Sequence, residues 1–276
     1  MTPSRLTFPQ NSWPETGLPP VPEAPSPLPG TPVEYPLWNG WDVLGIALLT
    51  FFSFLFFPLV VLFAAHRFLY HELSWNAVLQ KPPLSLFAEF LAYLVLFFYM
   101  LVLVEGKYHE RFFRAIRWNW PGGTRVPLVG LGAILLIGLQ VLAHFLPIPK
   151  SVPMDQFFQT PLDAYLTSIF AISLGPFMEE LFFRGFLYPV LARRLGVTVA
   201  ILLTGVAFAS IHAVQLGFAW GAVLIIFLVG ITLTGVRAVT GSVGSSFLVH
   251  VSYNLTLTVL TFIGTAGFRH MERLNQ

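Results

Sequence analysis

The chain has 276 residues, 55% hydrophobic and 10% charged, with a mean hydropathy of +0.73 and a formal net charge of +2. A charged fraction near half that of ordinary soluble domains excludes a soluble globular enzyme, and so small a net charge gives no support for a nucleic-acid partner. The absence of cysteine excludes disulfides, thiolate metal sites, cysteine nucleophiles and S-acylation.

The composition predicts an all-α fold, a polytopic transmembrane helical bundle of about seven helices, with eight as the alternative. Residues 1–37 hold eleven of the 22 prolines, which prevents a helix or a packed core and predicts a disordered N-terminal tail. It lacks the apolar region and small-residue cleavage site of a signal peptide and is expected to stay on the mature protein. Residues 38–160 form an N-terminal membrane unit, with spans over 43–65, 84–104 and 128–146, each long enough to cross about 30 Å of hydrocarbon. Glu89 lies inside the second span, and Gln140 and His144 inside the third. These three are expected to bond to neighbouring helices, with Glu89 also able to line a cavity. Between the second and third spans, Lys107, Arg111, Arg114, Arg117 and Arg125 make the densest basic stretch and mark the cytoplasmic side, which also places the amino terminus inside. Phe112, Phe113, Ile116, Trp118 and Trp120 interleave with those arginines as an interfacial helix would require.

Residues 161–266 form the core that carries the chemistry, followed by a tail over 267–276. Thr160-Pro161-Leu162-Asp163 reads as a helix start: Thr caps, Pro fits the first helical position and Asp suits the positive end of the dipole. Continued to Arg194 this helix would run roughly 50 Å, so Pro176 is expected to kink or divide it. The last three spans fall at 197–216, 218–236 and 245–263. His66, His71, His109 and His270 fall at interfaces or in tails and are expected to be solvated, and the Asn254-Leu255-Thr256 sequon lies inside a span and should be unmodified.

An ionised side chain in a span asks for a partner or a function. Arg184 follows Glu180 by four residues and shares its face, so these two should pair, which makes burial of the helix tolerable. Glu179 points elsewhere and has no local cation. It must find a proton, a metal ion or a histidine from another helix, and burial would push its carboxyl toward a general base. Phe208 and His212 share one face of the fifth span, and His250 and Asn254 share one face of the last. A glutamate, two histidines and an asparagine that converge could activate water and hold the oxyanion formed at an amide carbonyl.

The segments Glu179-Glu180-Leu181-Phe182-Phe183-Arg184, Phe208-Ala209-Ser210-Ile211-His212 and His250-Val251-Ser252-Tyr253-Asn254 resemble, in order, the three motifs of the CAAX protease and bacteriocin-processing family. This is also called the abortive-infection family and includes the Ras-converting CAAX endopeptidases. The resemblance covers roughly residues 161–263. It implies an intramembrane endopeptidase of glutamate type, in which Glu179 and His212 activate water and His250 and Asn254 stabilise the oxyanion. Glu180 and Arg184, with Phe208 beside them, support the site, and no cofactor is required. It also implies a membrane-delivered substrate, either a CAAX-type prenylated protein or a membrane peptide, the lipid bilayer as surroundings, no nucleic acid, and the plasma membrane of a bacterium as location.

Two rivals stand beside this reading. Glu179, His212 and His250 are also a one-carboxylate, two-histidine set suited to zinc, although His71-Glu72-Leu73-Ser74-Trp75 breaks the HExxH pattern. Alternatively the polar residues only bond helices together in an immunity or scaffold protein. One feature resists a simple seven-span arrangement: counted at 1.5 Å per residue, Glu179 and His212 lie ~22 Å deep but His250 only ~8 Å. Either the turn at Gly241–Ser245 dips into the protein interior or the helix ends are misplaced.

Overall fold

The computed structural model describes residues 34–120, 123 and 125–272, so the tail expected over 1–37 lies outside the described residues except for its last four. Of those four, Glu34 and Pro36 are buried, while Tyr35 and Leu37 are exposed. Glu34 is buried against Arg237, with its two carboxylate oxygens 2.6 and 3.1 Å from the guanidinium, and Arg117 reaches it at 3.3 Å. The Pro36 carbonyl accepts from Arg193, and the buried Trp38 indole donates to the Phe186 carbonyl at 3.0 Å.

α1 (Gly40–Phe68) starts at a reciprocal cap: the Asn39 side chain accepts from the amides of Trp41 and Asp42, and the Asp42 carboxylate accepts from the Asn39 amide. Asp42 also takes Lys107 at 2.6 Å and the Tyr108 hydroxyl at 2.5 Å, which ties the start of α1 to the end of α2 (Pro82–Val102) and the π-helical turn Leu103–Lys107. Phe51, Phe52, Leu55, Phe56, Leu59 and Phe63 are exposed along α1, as expected of a helix whose outer face meets lipid.

α3 (Arg125–Ala143) packs along the last helix, where Gly132 lets the backbones approach: a Cβ there would lie 2.5 Å from the Val249 carbonyl. α4 (Pro161–Ile172) begins where the sequence predicts, with the Thr160 hydroxyl accepting from the Asp163 amide. The long helix divides at Ser173, three residues before Pro176. A proline has no amide hydrogen and crowds the carbonyl four residues back, here Ile172, so the break falls in the turn before it. α5 (Leu174–Glu179), a π-helical stretch (Glu180–Leu187) and α6 (Tyr188–Leu195) complete this crossing.

α7 (Val197–His212) is shorter than the span expected over 197–216, since the chain turns after His212. α8 (Trp220–Thr240) and α9 (Val243–Gly264) follow. Among the described residues six helices are long and apolar enough to cross a membrane, and α7 adds a shorter apolar one, so about seven crossings in an all-helical bundle fit the sequence expectation.

The depth problem resolves at the α8–α9 turn. Gly241, Ser242, Val243, Gly244, Ser245 and Ser246 are all buried. The Ser242 hydroxyl donates to the Asn119 carbonyl at 2.6 Å, and the Val243 amide donates to the Arg117 carbonyl at 3.1 Å. Gly244 is in such close contact that a Cβ would lie 2.5 Å from the Asn119 carbonyl oxygen. The turn is therefore roofed by residues 117–120, α9 starts inside the protein, and His250 is carried deeper than a count from a surface turn allows.

Two apolar clusters meet at the divided crossing. Leu181 and Phe186 pack with Trp38, Ile46, Met100 and Phe112, while Phe183 packs with Leu136, Phe208, Leu233 and Val249. The π-helical stretch thus sits between the two halves of the bundle, with side chains committed to both.

Candidate active site

Glu180 is the buried anchor. One oxygen accepts from Arg184 Nη1 and from His250 Nδ1, both at 2.9 Å, and the other accepts from the Ser246 hydroxyl at 2.6 Å. Three donors around one wholly buried carboxylate fit its ionised form, which only accepts. The pairing with Arg184 expected from the sequence is present. Arg184 also donates to the Gly230 carbonyl at 3.1 Å and to the Thr234 hydroxyl at 3.3 Å, and its guanidinium carbon lies 4.6 Å from the Phe208 ring centre. Every charge in this group is matched, as burial requires.

Glu179 faces the other way. His212 Nε2 is 3.7 Å from one of its oxygens and His250 Nε2 is 3.7 Å from the other. Each histidine has its second nitrogen fixed: His212 Nδ1 lies 2.8 Å from the Phe208 carbonyl, which can only accept, so that nitrogen carries a hydrogen. His250 Nδ1 faces the Glu180 carboxylate and is fixed in the same sense. Both Nε2 atoms are thereby turned to Glu179. A separation of 3.7 Å is too long for a direct hydrogen bond and suits a water held between the groups. The side chains of Glu179 and His212 are 17% and 20% exposed, against 5% for His250, so the open side of the group is at Glu179 and His212.

Phe208 sits at the centre, its ring 4.7 Å from that of His212, 5.9 Å from that of His250 and 5.2 Å from that of Phe183. Asn254, one turn beyond His250, donates from Nδ2 to the Ala171 carbonyl at 2.7 Å, close to the break at Ser173, and keeps a second amide hydrogen. The residues singled out in the three motifs thus converge from α5, the π-helical stretch, α7 and α9. Glu179, His212 and His250 are also the side chains a zinc ion would need. Among the described residues, no group of three His, Cys, Asp or Glu side chains is arranged to hold a metal ion.

Residues 161–256 match the family model described as type II CAAX prenyl endopeptidase, Rce1-like. The match begins at the proline that opens α4 and ends two residues after Asn254, so it contains all three motifs. No curated protein and no solved structure matches the chain. The apolar helices make the chain an integral membrane protein, and its region 161–256 is similar to a family of prenyl endopeptidases.

The sequence reading missed several members of the site. Ser246 lies four residues before His250 on the same face of α9, a spacing that points it at whatever His250 meets. Thr234 and Gly230 stand in the same relation on α8. Glu89, which the sequence allowed to line a cavity, is near enough to the site for the charges of Glu179 and His212 to act on it.

Proposed function

We propose that this protein is an intramembrane endopeptidase that hydrolyses a peptide bond with a water held between Glu179 and His212. The supporting observation is that two imidazoles, each fixed through Nδ1, present Nε2 to the two oxygens of a single, slightly exposed carboxylate. In this mechanism the water donates one hydrogen to Glu179 and the other to the Nε2 lone pair of neutral His212. Its oxygen bonds to the amide carbon as Glu179 takes a proton, and the carbonyl π pair moves onto oxygen. The oxyanion is received by Nε2–H of a doubly protonated His250 and by the second amide hydrogen of Asn254. Collapse of the tetrahedral centre breaks the C–N bond, and the leaving amine takes the proton from Glu179. Glu180, Arg184 and Phe208 hold the parts in place.

The substrate is a membrane-delivered peptide, and the family description makes a prenylated CAAX-type C-terminus the first candidate. The test is hydrolysis of a quenched peptide library, with and without a farnesylated cysteine, by metal-stripped wild type and Glu179→Gln. Cleavage by wild type alone is expected. Activity lost on stripping and restored by zinc would replace the glutamate mechanism by a metal one, and equal behaviour of two folded proteins would make the group structural.

A further inference from the structure

Ser246 is wholly buried one turn into α9, where the roofed α8–α9 turn carries it against Glu180. Its hydroxyl has one hydrogen and two acceptors in reach, the Glu180 carboxylate oxygen Oε2 at 2.6 Å and the Leu233 carbonyl at 2.9 Å. The Leu233 carbonyl lies inside α8 and is served by a helical amide. Oε2 has no other donor among the described residues, since Arg184 Nη1 and His250 Nδ1 both meet Oε1. A buried carboxylate oxygen left without a donor costs more than a carbonyl that keeps its helical bond, so the hydrogen goes to Glu180.

The way Arg184 meets Glu180 depends on this bond. Guanidinium and carboxylate favour a two-pronged contact with parallel N–H···O bonds. Here Arg184 gives Glu180 only Nη1, on Oε1, and spends Nη2 on the Gly230 carbonyl and Nε on the Thr234 hydroxyl. With Oε2 taken by Ser246, Oε1 is shared between Arg184 and His250. Without Ser246 the carboxylate can turn about its broad last torsion to meet the guanidinium with both oxygens, and Oε1 then leaves His250 Nδ1. The imidazole would lose the contact that turns its Nε2 toward Glu179, 3.7 Å away. We infer that Ser246 is a positioning residue: by holding Oε2 it keeps Oε1 on His250, and so keeps Nε2 where the oxyanion forms. This rests on the hydrolytic reading of Glu179 and His212, and it adds to that reading a hydroxyl that acts only through Glu180 and His250.

The test compares Ser246→Ala, Ser246→Thr and Thr234→Val with wild type, as full chains in one detergent. Thr234→Val removes an equally buried hydroxyl that meets Arg184 but not Glu180. Peptide cleavage by Ser246→Ala should fall about 10- to 100-fold in kcat, the range for loss of a partner that orients a functional side chain, with KM within about threefold of wild type. Ser246→Thr, which keeps the hydroxyl, and Thr234→Val should both stay within about threefold in kcat. A second readout needs no turnover: NMR of protein with isotope-labelled histidine, in which the hydrogen on His250 Nδ1 is identified by its loss in His250→Asn. Wild type should show it as a slowly exchanging resonance that Ser246→Ala loses and Thr234→Val keeps. A wild type without that resonance, a Ser246→Ala protein that keeps it or cleaves within about threefold of an active wild type, or an equal loss in Thr234→Val overturns the inference. Loss of the resonance in Ser246→Ala with no cleavage by wild type keeps the hold on His250 and removes the hydrolase. Cleavage by wild type with both readouts unmoved in Ser246→Ala does the reverse.

Discussion

The adjacent glutamates should respond in opposite ways to the same substitution. Glu180→Gln keeps the shape but puts an amide where Arg184, His250 and Ser246 all donate, at 2.9, 2.9 and 2.6 Å, in a place with no exposure to solvent. It leaves the Arg184 charge buried without its counter-ion, and removing one partner of a buried pair costs about 3–5 kcal/mol. For a chain of this size each kcal/mol moves Tm by roughly 2–4 °C, so a drop of about 6–20 °C is expected. Glu179 has no such donor: its neighbours stand at 3.7 Å and it is partly exposed. Glu179→Gln should therefore stay within about 1 kcal/mol of wild type, or about 4 °C. The assay is thermal unfolding of the three purified proteins in one detergent, followed by tryptophan fluorescence. A Glu180→Gln protein as stable as wild type, or a Glu179→Gln protein destabilised as much as Glu180→Gln, would refute the division of a structural from a reactive carboxylate.

Three further outcomes are expected. Glu34→Gln should lower stability by about 3–5 kcal/mol, because Arg237 is buried with it and loses its counter-charge; a Tm unchanged within 2 °C would mean that residues 34–38 do not hold the basic end together. Gly132→Ala should destabilise by about 1–3 kcal/mol, since its Cβ would meet the Val249 carbonyl at 2.5 Å and Ser252 Cβ at 2.6 Å, while Gly138→Ala on the same helix meets nothing within 4 Å and should be neutral or stabilising. Single cysteines at Arg114 and Lys150, introduced into a chain with none of its own, should be labelled from opposite faces of oriented vesicles, with position 114 on the cytoplasmic side; labelling from one face would break the seven-crossing topology.

Apolar runs, a capped start at Thr160 and the four-residue spacing of Glu180 and Arg184 were readable because each depends on local chemistry or on the helical period. The break at Ser173 was readable to within a turn from Pro176, whose effect falls on the residues before it. Other features depend on distant parts of the chain. The buried α8–α9 turn needs Asn119 and Arg117 as its roof, and nothing in Gly241-Ser242-Val243-Gly244 states that their carbonyls are there. The Glu34–Arg237 pair joins residues 203 apart at the edge of a proline-rich segment with no helical period to place it. Glu89 reads as one isolated acid in a span, and its relation to Glu179 and His212 exists only once α2 is packed beside α4. The four motif residues converge for the same kind of reason: spacing supplies each face, and packing supplies the meeting point.

The most direct measurement is the single-turnover rate of peptide cleavage by metal-stripped wild type and metal-stripped Glu179→Gln, with both shown to be folded by their unfolding curves. Removal of the group that takes the proton from water should lower the rate by about 10²–10⁴-fold or more while Tm moves by no more than about 4 °C. A Glu179→Gln protein that cleaves within threefold of wild type would contradict the assignment of this carboxylate as the base, and with it the reading of the site.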